Sequence, residues 1–75
     1  MPCRVGMTTD PDRRKKEWES EYPNLRDWEI LHEGLSKEEA QARETEEASA
    51  RECVAEPGGR ESEDNKKWSV YYFEY

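Results

Sequence analysis

The chain has 75 residues, a net charge of −7, 41% charged residues and 32% hydrophobic ones. That length holds one small domain, no apolar run approaches the roughly 20 residues of a membrane span, and the N-terminal stretch has no apolar signal-peptide core. A mainly acidic chain is a poor non-specific binder of nucleic acid, so any such contact must be local.

The first predicted strand runs from Cys3 to Met7, with Val5 and Met7 on one face and Arg4 and Gly6 on the other. Asp10 followed by Pro11 is a helix start, an N-cap acceptor and then proline at the first helical position. Trp18 and Tyr22 form the apolar stripe of that helix, continued by Leu25, and one step back along the stripe is Arg14. Arg13, Lys15 and Lys16 point elsewhere. The helix stops by Tyr22, because the residue before Pro23 is biased to extended backbone. A second strand follows over residues 28–33, with Trp28, Ile30 and His32 on one face and Glu29, Leu31 and Glu33 on the other. Ser36 and Glu39 make a capping box, and a helix runs from there to about Cys53. Its apolar face is Ala40, Ala48, Ala50 and Val54. Glu44 lies angularly between Ala40 and Ala48 and is predicted to point inward. A polar loop is expected over 57–67, opened by Pro57-Gly58-Gly59. The last strand, 68–75, is apolar on both faces: Trp68, Val70 and Tyr72 on one, Tyr71, Phe73 and Tyr75 on the other. Such a strand requires cover on both sides.

Charged residues outnumber apolar ones enough to suggest disorder. The eight aromatics oppose that, since each large ring buries roughly 150–250 Å². Cys3 and Cys53 are too few for a disulfide scaffold and lack CxxC spacing. They read as two free thiols in a reducing compartment, and the protein as cytoplasmic. Charge is uneven: residues 33–56 hold eight Glu against Lys37, Arg43 and Arg51, a net −5, whereas residues 1–20 carry +1. The expected fold is a single small α/β domain over residues 1–75, a three-stranded sheet with two main helices in the order β-α-β-α-β.

"RVGMTTDPDRRKKEW" followed by "WEILHEGLSKEEAQARE" resembles the GIY-YIG nuclease superfamily. In that family a strand ending Tyr-x-Gly precedes a helix with an arginine about eight residues after the glycine. A later helix carries a glutamate four residues after a "GLSKEEA"-like start. The matching positions are Gly6, Arg14, Ala40 and Glu44, and the resemblance covers roughly residues 3–50. The departures are definite. No Gly-Ile-Tyr strand precedes residue 3, Arg4 stands at the second motif's tyrosine, and Trp18 stands where many members have histidine. The last strand is expected to take the missing strand's place, as in a circularly permuted relative.

The resemblance implies metal-dependent cleavage of DNA. Phosphodiester hydrolysis needs an activated water, relief of charge on the phosphoryl oxygens and help for the leaving alkoxide. Arg14 would clamp the phosphate. Glu44 would hold a Mg²⁺ or Mn²⁺ that keeps most of its waters. Tyr71, Tyr72 or Tyr75, or a metal-bound hydroxide, would serve as base. Arg4, Gly6, Arg13, Lys15 and Lys16 would contact the nucleic acid, Gly6 by letting its backbone come close. Each residue also has a structural reading: Arg14 covers Trp18 or pairs with a carboxylate, Glu44 is solvated, the tyrosines are core, and His32 is structural. Two rival functions follow. One is a non-catalytic module that binds DNA or RNA on the same scaffold; the other is an acidic domain that docks a basic protein through helix 36–53.

Overall fold

A computed structural model describes residues 2–55 and 67–75. Strand β1 (Cys3–Thr8) leads into a turn in which Thr8 Oγ1 accepts from the Asp10 N–H at 3.0 Å. Asp10 Oδ1 then accepts from the Arg13 N–H at 3.2 Å and caps α1 (Pro11–Glu21), with Pro11 in its first turn. This satisfies helix donors that have no intrahelical partner. α1 closes where the Tyr22 N–H donates to Trp18 O at 2.7 Å, just ahead of Pro23. Strand β2 spans Arg26–Leu35. α2 (Lys37–Arg51) begins with the predicted capping box, Ser36 and Glu39 each accepting from the other's N–H. Glu52 ends it in the left-handed region, φ 55°. Strands β3 (Val54–Ala55) and β4 (Trp68–Glu74) complete the order.

The sheet has four strands in the order β2-β4-β1-β3, not three. β4 lies between β2 and β1 and is antiparallel to both, while β3 runs parallel to β1. The missed strand is β3, whose two residues are too short to carry a period of two and whose Val54 is 51% exposed. Of the polar loop expected over 57–67, all but Lys67 lies outside the described residues.

The helices cover opposite faces of the sheet. α2 supplies Ala40 and Ala48 to a core with Val5, Met7, Trp68 and Val70. α1 supplies Trp18 to a second core with Tyr71 and Phe73, flanked by Tyr22, Leu25, Trp28, Ile30 and Tyr75. The small Ala40 and Ala48 side chains let α2 sit close to the strands. The aromatic side is built from rings: Trp18–Phe73 centroids are 5.2 Å apart and Trp28–Tyr71 centroids 4.8 Å.

The cysteines are not free thiols. Cys3 and Cys53 form a disulfide with an S–S distance of 2.11 Å, spanning 50 residues of sequence. The register explains why: Arg4 pairs with Val54, so the residue before each is its neighbour across β1 and β3. Sequence spacing carries no trace of that adjacency. Disulfides persist where thiols are not kept reduced, so the cysteines no longer argue for a cytoplasmic setting. No helix among the described residues is long and apolar enough to cross a membrane.

Glu52 adopts a backbone conformation that costs an L-residue roughly 1–2 kcal/mol and glycine almost nothing. Glu52→Gly is therefore expected to raise the unfolding free energy by about 1 kcal/mol, measured as a higher urea midpoint at unchanged slope.

Candidate nucleic-acid interface

α1 places Arg13, Arg14, Lys15 and Lys16 on successive positions of its N-terminal half. The sequence singles out Arg14 as the cation nearest the sheet, and its side chain is 18% exposed against 65% for Arg13. Both pair with Glu17, Arg14 through Nη1 at 3.2 Å and Arg13 through Nε at 3.8 Å. Lys16 is exposed and Lys15 partly so. This cluster sits at the positive end of the helix dipole, where cations are disfavoured. The Asp10 cap, Asp12 in the first turn and Glu17 one turn on offset that cost.

Arg4 lies on the α1 face, enclosed by rings. Its guanidinium carbon is 5.1 Å from the Trp18 ring centre and 5.6 Å from that of Tyr75, and its Nη2 lies 3.5 Å from both Tyr22 Oη and Tyr75 Oη. The Tyr22 and Tyr75 rings stack at 4.3 Å. Arg4 is thereby held against the protein's own aromatics, an arrangement that stabilises a cation by its fit to the negative ring faces.

Gly6 is paired with Tyr71, whose side chain fills the space above it. A Cβ at position 6 would fall on the Tyr71 Oη and Cζ atoms. Glycine is required there for the close approach of Tyr71. Tyr71 is fully buried, and its Oη accepts from Trp18 Nε1 at 2.9 Å. Trp18, where the resembled family often has histidine, thus supplies the donor that holds this phenol in place.

Tyr72 points to the other face. Its Oη donates to Glu74 Oε2 at 2.6 Å, and Arg51 lies over its ring at 5.0 Å. The bond to Glu74 raises the Tyr72 phenol above its usual range, with burial adding to the effect. A phenol held protonated in this way is a donor in place, not a ready base. Glu44 is 4% exposed and turned inward between Ala40 and Ala48, as its angular position predicts. Arg14 and Glu44 are borne by helices on opposite faces of the sheet, so the sheet stands between the two residues expected to act as clamp and metal ligand. A metal at Glu44 would draw the rest of its shell from water and substrate, and a carboxylate this buried offers such an ion little access. Among the described residues no group of three or more His, Cys, Asp and Glu is placed to hold a metal.

Sequence reasoning missed a charged chain on the α2 face. His32 Nε2 lies 2.9 Å from Glu47 Oε2, and Arg51 Nε donates to Glu47 Oε1 at 3.1 Å. Arg26 reaches Glu74 at 3.7 Å. The alternation predicted for β2 puts His32 with Trp28 and Ile30. Instead, Ile30 pairs with Tyr71 and His32 with Val70, so β2 spends one extra residue, Leu31, against β4. A bulge of this kind shifts the phase of alternation, and His32 turns to α2. No signal in a single strand announces that shift. On the outer side of α2, Glu38, Glu39 and Glu46 are exposed.

Comparison of the chain with protein-family models, curated proteins and solved structures finds no match.

Two outcomes test this geometry. Gly6→Ala is expected to cost about 1–3 kcal/mol, the range for overpacking a filled site, and to shift Trp18 fluorescence as its bond to Tyr71 is disturbed. The hydrogen bond from His32, with those of Arg51, lowers the Glu47 carboxyl below its usual value. A depressed carboxyl contributes stability above its unfolded value of about 4.3 and loses it as pH falls through the folded one. Glu47→Gln is therefore expected to flatten the acid limb of thermal stability below that pH, measured as the melting temperature against pH beside wild type.

Proposed function

We propose that this chain is a small nucleic-acid-binding module on a GIY-YIG-like scaffold, gripping the phosphate backbone through the cationic half of α1. The observation that carries the reading is the separation of the charged candidates. Arg13, Arg14, Lys15 and Lys16 belong to α1 on one side of the sheet, whereas Glu44 is buried on the other. Cleavage needs clamp and metal on the same phosphate; binding needs only local positive charge. Lys15, Lys16 and the exposed Arg13 supply that charge, with Arg14 and its partner Glu17 setting their base. Arg4 is engaged by Trp18, Tyr22 and Tyr75 and steadies the aromatic end of the same face. The partner is DNA, with RNA as the competing polymer.

A second reading is a Mg²⁺- or Mn²⁺-dependent endonuclease. Two features favour it: β4 pairs along β1, as a strand standing in for the missing Gly-Ile-Tyr strand would, and Glu44 is turned inward as a ligand would be.

Fluorescence anisotropy with a labelled DNA duplex separates the two. Binding is expected at low salt and falls steeply as salt rises, in proportion to the phosphates neutralised. Joint reversal of Arg13, Lys15 and Lys16 to Glu is expected to weaken it about tenfold or more at low salt. Supercoiled plasmid with Mg²⁺ is expected to stay intact. Nicking by wild type, lost in both Arg14→Ala and Glu44→Ala while their circular dichroism is unchanged, would establish the nuclease instead. Absence of DNA and RNA binding at low salt would overturn the binding module.

A further inference from the structure

The disulfide sits at the rim of the packing, with Cys53 partly buried against the α2-side core. Both cores close without it: Val5, Trp68 and Val70 on one face and Trp18, Tyr71 and Phe73 on the other are buried by β1, β4 and the helices. β3 is different. It contributes Val54, 51% exposed, and an exposed Ala55. Its ladder to β1 has two pairs, Arg4 with Val54 and Val5 with Ala55. The Cys3–Cys53 bond lies one residue before that ladder on both strands. Cys3 and Cys53 are both half-exposed, within reach of a small thiol.

We infer that the Cys3–Cys53 disulfide is a redox-operated clip for the β3 edge of the sheet. A dithiol reductant opens it by thiol–disulfide exchange. One reductant thiolate attacks a cysteine sulfur, the S–S bond breaks, and the other cysteine leaves as thiolate. The second reductant thiol then resolves the mixed disulfide. Two electrons and two protons pass to Cys3 and Cys53, which become thiols, and the reductant leaves as its own disulfide. Without the bond, a two-pair parallel ladder with an exposed valine does not offset the chain entropy of ordering β3. β3 lifts away and the backbone groups of β1 that faced it open to water or to another strand. The helices and β4 keep their places, because β3 meets α2 and β1 only at the edge and the packing of Ala40 and Ala48 on Trp68 and Val70 does not depend on it.

Amide hydrogen exchange on the intact chain tests this, before and after dithiothreitol. Reduction is expected to speed exchange at Val54 and Ala55 about tenfold or more while Tyr71 and Tyr72 of β4 keep their protection. Reoxidation is expected to restore the first pattern. Cys3→Ser, which cannot form the bond, is expected to show the reduced pattern without reductant. Unchanged exchange at Val54 and Ala55 after reduction would overturn the clip. So would parallel loss of protection in β4, which would make the bond a staple of the whole domain. Alkylation of both cysteines in the unreduced protein would overturn it at the outset.

Discussion

A strand with apolar side chains on both faces must be covered twice in water, and β4 is such a strand. Trp68 and Val70 face α2; Tyr71 and Phe73 face α1. Burial of rings this large is the main favourable term available to a chain that is 32% hydrophobic. The two helices are therefore driven to opposite sides, and β1 and β2 take the two edges of β4. The separation of Arg14 from Glu44 follows from the same demand. A helix carrying Trp18 goes where Phe73 and Tyr71 are, and a helix carrying Ala40 and Ala48 fits over Val70 and Trp68. The charged residues are carried along.

The aromatic face also shows how a site position can be taken over by structure. Gly6 and Tyr71 would each suit a phosphate site by residue type, and Trp18 stands where many members of the resembled family have histidine. Together they close on one another: the glycine admits the phenol, and the indole N–H holds its oxygen. Arg4 is similarly enclosed by Trp18, Tyr22 and Tyr75. What stays available on this side is the outer charge of α1.

Much of the fold was legible because its signals are local. The Asp10-Pro11 start, the Ser36–Glu39 capping box and the two-sided alternation of residues 68–75 are each settled by neighbours in sequence, and each reads correctly. The inward turn of Glu44 follows from helical spacing to Ala40 and Ala48. One failure is local: of the expected apolar face of α2, Ala50 is exposed and Val54 lies past the helix end in β3. The other failures are matters of register between distant segments. The Cys3–Cys53 bond, the bulge at Leu31 that turns His32 toward Glu47, and the two-residue β3 depend on which strand lies beside which. The side of the sheet that each helix takes belongs to the same class, since a connection of a few residues fits either side until packing decides. The candidate site was legible as residue types and spacings, not as a meeting place.

The central position of β4 also sets the order in which the molecule can assemble. β1 and β2 make no ladder with each other; both pair with β4. On a ribosome, the two helices and the first two main strands emerge before the strand that joins them. Until residues 68–74 are free of the exit tunnel, Trp18 and Trp28 have no sheet to bury them, and the glutamate-rich α2 has no floor beneath Ala40 and Ala48. Contacts between segments this far apart in sequence form late and slowly. The high charge of the early segments then has a use that the finished fold conceals: it keeps an unpaired, waiting chain in solution.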